Sequence, residues 1–384
     1  MTATRRIYLD HGATSWPKAP GVADAMVRYL EEEAGNPGRG GHRLTVAASR
    51  AVESAREDVA ALFGSEPERT LLGSGATFWL NTVLLTQLNP GDRVVTSALE
   101  HNAVVRSLRW LERSRGVEIA IVQGADPDGL PTADEFRREA FARPTALVVV
   151  THASNVTGAV FPVTEIAEAV APIPVVVDGA QTAGSLPVRF GELGVAAYAC
   201  SGHKGLLGPQ GVGVLLLDEG FEVEPLVRGG TGSRSESEEM PEHLPDRLEA
   251  GTPNGPGIAG LGAACRWLAE RGVGAVAEHE HRLVRRLAGR LGEIAGVRLH
   301  GWRPDRPHTG ILSFTVEWGD NGELATLLDR EHGIMLRPGL HCAPAAHRRL
   351  GTFPDGTARV GIGPFTTEAD VDALVAAVRA ASPS

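Results

Sequence analysis

The sequence predicts an α/β protein, with a large domain whose sheet is covered by helices and a smaller α+β domain after it. Two observations lead there. Short runs rich in β-branched residues, Arg93-Val94-Val95-Thr96, Val117 to Val122, Ala146 to Val150 and Val175-Val176-Val177, are mostly continuous rather than alternating, as parallel strands buried on both faces are. Helical segments at Asn81 to Leu88, Val104 to Arg115, Ala133 to Ala140 and Val163 to Val170 separate them, so the order is βαβα.

Helical periodicity is clearest from Thr45 to Phe63. There Ala48, Val52, Ala55, Val59 and Leu62 recur at three and four, Arg50, Glu53, Arg56 and Glu57 take the other face, and Gly64 ends the helix. A second stretch carries Val276, Leu283, Val284, Leu287, Leu291 and Ile294 before Gly296, whose lack of a side chain suits the left-handed turn that closes helices. A third runs from Thr367 through Val371, Leu374, Val375 and Val378, with Asp370 placed close to capping-box spacing. Gly229 to Asn254, rich in Gly, Ser, Glu and Pro, reads as a long loop of the kind that is functional or mobile. Helices around Ile258 to Leu268 and Val273 to Ile294, then strands at Val297 to His300 and Ile311 to Val316, make up the smaller domain, which ends near Ala381.

The 384 residues are 42% hydrophobic and 22% charged, the balance of a globular enzyme and not of a disordered chain. Acidic residues, 47, outnumber the 37 Lys and Arg, and no basic cluster is interleaved with aromatics, so nucleic acid is not expected as a partner. The cysteines, Cys200, Cys265 and Cys342, have no paired spacing, which argues against a disulfide framework or an all-cysteine zinc site and fits a reducing cytosol. No signal-peptide core follows Arg5 and Arg6, and no run nears the ~18 apolar residues of a membrane span, so a cytoplasmic chain without a membrane segment is expected.

Chemistry concentrates where apolar runs stop. Val175-Val176-Val177 leads into Asp178-Gly179-Ala180-Gln181, placing a carboxylate at the C-terminal tip of a buried strand, where α/β sheets hold ligands. Ala196 to Cys200 ends in Ser201-Gly202-His203-Lys204-Gly205, and Val212 to Leu217 follows. A lysine enclosed there has its pKa lowered, which makes the neutral amine that condenses with an aldehyde. A Schiff-base lysine with an aspartate to hold a pyridinium proton is what pyridoxal phosphate requires. Gly73-Ser74-Gly75-Ala76-Thr77, before a helix, offers backbone N–H groups to a phosphate, with Ser201 and His203 able to complete the cradle. His101 is a candidate to lie against the ring. Cys342, beside His341 and near Arg337 in a Gly/Pro-bounded loop, is a candidate reactive thiol. A metal site of His341, Cys342 and His347 is the competing reading, but one thiol without a second cysteine is poor zinc chemistry, so no metal is expected.

Together these segments resemble the class V aminotransferase superfamily of fold-type I pyridoxal phosphate enzymes, and within it the cysteine desulfurase and selenocysteine lyase group. The resemblance spans nearly the whole chain: Tyr8-Leu9-Asp10 with Ala13-Thr14-Ser15, Gly35-Asn36-Pro37, Glu100-His101-Asn102, Ser154 to Gly158, Asp178 to Gln181, Ser201 to Lys204, Gly251 to Asn254 and Arg337 to Ala343. It departs at Phe78-Trp79, where an acidic residue usually follows the phosphate-loop threonine, and at His11-Gly12, where Asn-Ala is common.

The resemblance implies a mixed, mostly parallel sheet in a large cofactor-binding domain over residues 16–256, and a small domain made of 1–15 and 257–384. It implies that Lys204 joins the cofactor, Asp178 pairs the pyridine nitrogen, Gln181 contacts the phenolic oxygen and His101 stacks on the ring. Ala76, Thr77, Ser201 and His203 would hold the phosphate, joined by Thr252 from the second subunit of a homodimer. Asn155 and Arg359 would bind the substrate carboxylate, for which Arg has a matching planar fork. The implied activity is that of a cysteine desulfurase. L-cysteine displaces Lys204, which then removes the α-proton, and the Cys342 thiolate takes the sulfur as a persulfide while alanine leaves. A sulfur-acceptor protein or a reductant then removes it, for iron–sulfur clusters or another thio-cofactor. The alternatives are a related C–S lyase, selenocysteine lyase or aminotransferase in which Cys342 is dispensable, and a silent scaffold, against which the intact Lys204 and Asp178 argue.

Overall fold

The computed structural model describes residues 6–38, 40–234 and 236–383, so the first five residues of segment 1–15, Ser235 of the 229–254 loop and Ser384 at the chain's end lie outside the description. Strand β1 (Ile7–Tyr8) is followed by α1 (Val22–Arg28) and α2 (Arg43–Phe63). Next come β2 (Thr70–Gly73), α3 (Ala76–Gln87), β3 (Arg93–Ser97), α4 (Asn102–Arg115), β4 (Glu118–Val122), α5 (Ala133–Ala142), β5 (Leu147–Thr151), α6 (Val163–Val170), β6 (Val175–Asp178), β7 (Ala197–Ser201) and β8 (Gly213–Leu217). The remainder is α7 (Gly255–Arg271), α8 (Val273–Gly292), β9 (Val297–His300), β10 (Ile311–Val316), α9 (Asn321–His332), β11 (Ile334–Met335), β12 (Arg337–Gly339), α10 (Pro344–Leu350), β13 (Thr357–Gly361) and α11 (Glu368–Ala381).

The large sheet has seven strands in the order β2-β8-β7-β6-β5-β3-β4. All its pairings are parallel except those of β8, which runs against both β2 and β7, so the sheet is mixed and mostly parallel. The continuous apolar runs have their explanation in the two faces. Val148, Val150, Val175 and Val177 point into one core with α2, α5, α6 and α7, while Leu147, Val149 and Val176 point into another with α3 and α4. Each successive side chain of these strands is thus buried, alternately on either side. Helix α7 brings Ile258, Leu261, Ala264, Cys265 and Leu268 to the first of these cores, where it packs along α2.

A third core belongs to the C-terminal part, where β12-β13-β10-β9 form an antiparallel sheet against α8, α9 and α11. The amino-terminal segment joins it. β1 pairs in parallel with β11, and Ile7 and Leu9 are buried among Leu287, Leu312 and Val375.

Helix ends follow local chemistry. Gly64 closes α2 at φ +62°, and α11 begins with a complete capping box between Thr367 and Asp370. α8 stops at Gly292, earlier than its apolar stripe suggests, because Ile294 turns back into the core and Gly296 takes up its left-handed φ of +74° in the turn to β9. α3 starts five positions before the sequence-based boundary at Asn81. It is apolar nearly all round, with Ala76, Trp79, Leu80, Val83 and Leu84 buried, so no amphipathic stripe marks its onset. Between β8 and α7 the described residues hold no helix or strand. Among the described residues, no helix is long and apolar enough to cross a membrane.

Candidate active site

The site forms at the C-terminal tips of the parallel strands. Asp178, 4% exposed, ends β6 and is paired across the sheet with Thr151 and Ala199. Its Oδ1 accepts from the Ala180 N–H at 3.0 Å. The adjacent β7 ends at Ser201, and the connection that turns back into β8 carries His203 and Lys204. Burial holds the Lys204 amine below its ordinary range; Asp178 opposes this, Arg359 and Arg337 add to it, and Cys342 opposes it. All four groups therefore lie close enough to act on its charge. Lys204 retains some exposure to the cleft.

The carbonyl that precedes Lys204 is held unusually firmly. The His203 oxygen accepts from Ser15 N at 2.8 Å and from Ser15 Oγ, Thr14 Oγ1 and Lys18 Nζ at 3.1 Å each. His203 Nδ1 is buried without a partner. At the start of α3 the N-cap residue, Gly75, has no side chain to bond the first-turn N–H groups; the Ala76 N–H donates to Ser201 Oγ at 3.2 Å, and Thr77 is exposed beside it. Gly213 allows this approach of β8, since a Cβ there would lie 2.3 Å from Gly75 Cα.

His101 caps α4, its Nδ1 accepting from the Ala103 N–H at 3.0 Å. Burial lowers its pKa to about 4 against the pull of Asp178, so its ring is neutral at pH 7. Gln181 donates to the Gly12 carbonyl at 3.0 Å. Gly12 itself is required by crowding, since a Cβ there would meet Ile311 Cδ1 at 2.4 Å and Arg359 Cζ at 3.2 Å. Trp79, at the other sequence departure, is fully buried against Gly73 and donates to the Gly213 carbonyl at 3.3 Å. It serves the core under the loop.

Arg359, 1% exposed on β13, donates through Nη1 to the Asn155 carbonyl at 3.0 Å and pairs through Nη2 with Asp10 at 2.9 Å, leaving Nε without a partner. Asn155 Nδ2 donates to the His341 carbonyl at 2.6 Å. Cys342 is exposed, and both it and His341 have left-handed φ values, +57° and +48°. Side chains disfavour that conformation by about 1 kcal/mol each. The Asn102 N–H to Cys342 carbonyl bond at 2.8 Å, and His341 Nε2 against Thr357, hold it in place. Arg337 Nη2 lies 4.0 Å from Cys342 Sγ. The loop is thereby tied to the residue after His101 on one side and to Asn155 on the other. Thr252 lies exposed in the loop before α7.

The aminotransferase class-V family model matches residues 7–374. The chain belongs to the aminotransferase class-V family. A probable cysteine desulfurase of Methanothermobacter thermautotrophicus is 33% identical over 96% of this chain and 92% of that protein. A cysteine desulfurase of Haloferax volcanii is 33% identical over 98% and 90% respectively. Among solved structures, the apo cysteine desulfurase of Thermococcus onnurineus superposes with a TM-score of 0.90 at 31% identity, over 98% of this chain and 94% of the other. A cysteine desulfurase of Escherichia coli gives 0.86 at 30%, again over 98% and 94%. Class-V aminotransferases are pyridoxal phosphate enzymes. The residues here fit that cofactor. A helix start with glycine at its N-cap and the unpartnered His203 Nδ1 suit a phosphate, and a buried carboxylate beside a lysine of lowered pKa suits a pyridine aldehyde.

Sequence reasoning passed over several groups at this site. Asp10 pairs Arg359 from far along the chain, Lys18 grips the His203 carbonyl, and Glu280 projects from α8 into a cavity beside Lys204. Glu280 could have been found, because it interrupts the apolar stripe of α8 one turn from both Val276 and Val284. Glu100 is also buried, its Oε1 accepting from Ser97 Oγ at 2.5 Å and Thr151 N at 3.0 Å while Oε2 has no partner. Burial raises its pKa to about 8, those two bonds pull against this, and the Asp178 charge adds to it.

The folded chain thus keeps the Glu100 proton where the unfolded chain loses it. This contribution to stability is complete below the ordinary glutamate range and is lost as the pH climbs to about 8. Urea unfolding at pH 6 and pH 8 should show wild type losing up to about 3 kcal/mol relative to Glu100→Gln. A constant difference between the two proteins would mean that Glu100 is ionised in the fold.

Proposed function

We propose that this protein is a pyridoxal-phosphate-dependent cysteine desulfurase that converts L-cysteine to L-alanine and leaves the sulfur as a persulfide on Cys342. The observation that carries the reading is that a half-buried lysine of lowered pKa and an exposed cysteine meet in one cleft, beside an arginine fork with an unpaired Nε. Lys204 would form the covalent link to the cofactor, and Asp178, Gln181 and His101 would hold its ring. Ala76, Thr77, Ser201 and His203 would hold the phosphate, with Thr252 contributed by a second copy of the chain in a homodimer.

When bound, the cofactor supplies an electron sink for the substrate's α-carbon. Arg359, with Asn155, grips the substrate carboxylate, and the Asp10 pair keeps the fork oriented while its Nε is free. Burial shifts the Lys204 amine toward its neutral form, the form that accepts the α-proton. The Cys342 thiolate attacks the substrate sulfur. The S–S bond forms, the C–S bond breaks, its electron pair goes to carbon, and that carbon gains one proton to become the methyl group of alanine. Arg337 Nη2 stands 4.0 Å from Sγ. The exposure of Cys342 leaves the persulfide open to the thiol of an acceptor protein.

The reading is tested by incubating the cofactor-loaded protein with L-cysteine in the absence of reductant. Alanine should form, and the peptide containing Cys342 should gain the mass of one sulfur atom. Pyruvate and ammonia in place of alanine, or an unmodified Cys342, would overturn it.

A further inference from the structure

The peptide that carries Cys342 is held in a conformation that side chains disfavour, and two of its carbonyls are the points of attachment. His341 and Cys342 take left-handed φ values of +48° and +57°, which persist only where the surroundings over-determine them. The Cys342 carbonyl accepts from the Asn102 N–H at 2.8 Å, and the His341 carbonyl accepts from Asn155 Nδ2 at 2.6 Å. These two donors come from different segments. Asn102 opens α4 after β3, and Asn155 follows the end of β5.

One buried oxygen joins those segments. Glu100 Oε1 accepts from Ser97 Oγ at the tip of β3, at 2.5 Å, and from the Thr151 N–H at the tip of β5, at 3.0 Å. Ser97 Oγ itself accepts from the Leu99 N–H at 3.2 Å, so the turn from β3 into α4 closes around the carboxyl. The β3–β5 ladder pairs Val94 with Leu147 and Val95 with Val148 and ends there, short of both tips. The Glu100 carboxyl bridges the tips where backbone pairing has stopped. Glu100 is fully buried and its Oε2 has no partner, so the bridge carries the cost of a half-satisfied carboxyl.

We propose that Glu100 is a positioning residue for Cys342. It ties the β3–α4 turn to β5, and through the Asn102 N–H and the Asn155 side chain it fixes where Sγ stands relative to the substrate sulfur. The proposal rests on the assignment of Cys342 as the thiol that takes that sulfur. What the role requires is the acceptor oxygen and not a charge on it. Burial raises the Glu100 pKa to about 8, so the group is mostly neutral at pH 7, and glutamine offers the same acceptor without the proton.

The test uses cofactor-loaded protein at pH 7. Glu100→Met removes the acceptor and keeps the bulk, and Glu100→Gln keeps the acceptor. Asn102→Pro removes only the N–H that holds Cys342. Proline is tolerated at the first position of a helix, and His101 before it already has the extended backbone that proline demands, φ −72° and ψ 156°. In Glu100→Met and in Asn102→Pro, kcat for alanine formation should fall about tenfold or more, since misplacing a reacting group by about 1 Å costs up to about 10²-fold. KM should stay within about twofold, because Arg359 holds the Asn155 carbonyl independently. Glu100→Gln should match wild type within about twofold.

Two further readouts separate placement of the thiol from support of the fold. In a Cys342→Ala background, Glu100→Met should lower the residual rate by less than about twofold, because no thiol is left to place. In protein without substrate, the Asn102 amide should exchange its hydrogen about fivefold faster in Glu100→Met, the worth of one net hydrogen bond. Ser97→Ala, a milder change that removes one of the two bonds to Oε1, should show the same pattern at about threefold in kcat, and it decides the matter if Glu100→Met does not fold. Wild-type kcat in Asn102→Pro, or in both Glu100→Met and Ser97→Ala, would overturn the proposal. So would a tenfold loss in Glu100→Gln, or losses that multiply in the Cys342→Ala background. If wild type forms no alanine, the desulfurase reading fails; faster exchange at Asn102 then still supports the hold on the Cys342 peptide, and unchanged exchange overturns that as well.

Discussion

Lys204→Ala is expected to abolish turnover of L-cysteine, with a loss of at least about 10⁴-fold, because in the proposed function one side chain supplies both the covalent link and the proton acceptor. The protein should remain folded. Lys204 carries an amine that the fold holds below its normal pKa, so removing it relieves a desolvation cost instead of breaking a stabilising pair. Its neighbours are anchored independently: the His203 carbonyl by Ser15, Thr14 and Lys18, and Asp178 within the sheet. The variant should therefore melt at or above the wild-type temperature. Wild type should turn yellow with pyridoxal phosphate and gain the cofactor's mass on that residue after borohydride, and the variant should do neither. Retention of a hundredth of the wild-type rate in the variant would remove Lys204 from its role.

Cys342→Ala should lower sulfur release from L-cysteine by at least about 10²-fold, the scale on which a covalent nucleophile matters, with little change in KM. The exposed thiol packs against nothing in the core, and the loop is fixed through its backbone by Asn102 and Asn155, so the alanine protein keeps its fold and its grip on the substrate carboxylate. Left-handed φ at this position is no worse for alanine than for cysteine. Full activity in the alanine protein would point to direct release of the chalcogen, as in a selenocysteine lyase.

The central sheet was readable because its strands are buried on both faces, which leaves uninterrupted Val-rich runs that no exposed element imitates. Strands β1, β11 and β12 escaped notice for the opposite reason. They are two or three residues long, β12 contains both Pro338 and Gly339, and their pairing is decided by partners far away in sequence. β13 hides because it carries Arg359 in its middle, a residue that sequence patterns assign to the surface. At the site, Asp178, Ser201, His203 and Lys204 stood out because they follow apolar runs directly. Asp10 and Lys18 did not, since what they do depends on groups 349 and 185 positions away. Glu280 belongs to no motif. Only its presence among Val276, Leu283 and Val284 gives it away.

The Asp10–Arg359 pair has a consequence for the order in which the protein becomes able to work. During synthesis the residues that would seat the cofactor, from Ala76 to Lys204, leave the ribosome well before β13 does. Until Arg359 emerges and docks beside Asp10, the chain lacks the guanidinium half of the carboxylate grip proposed above, so that grip is completed only when nearly all of the polypeptide has been made.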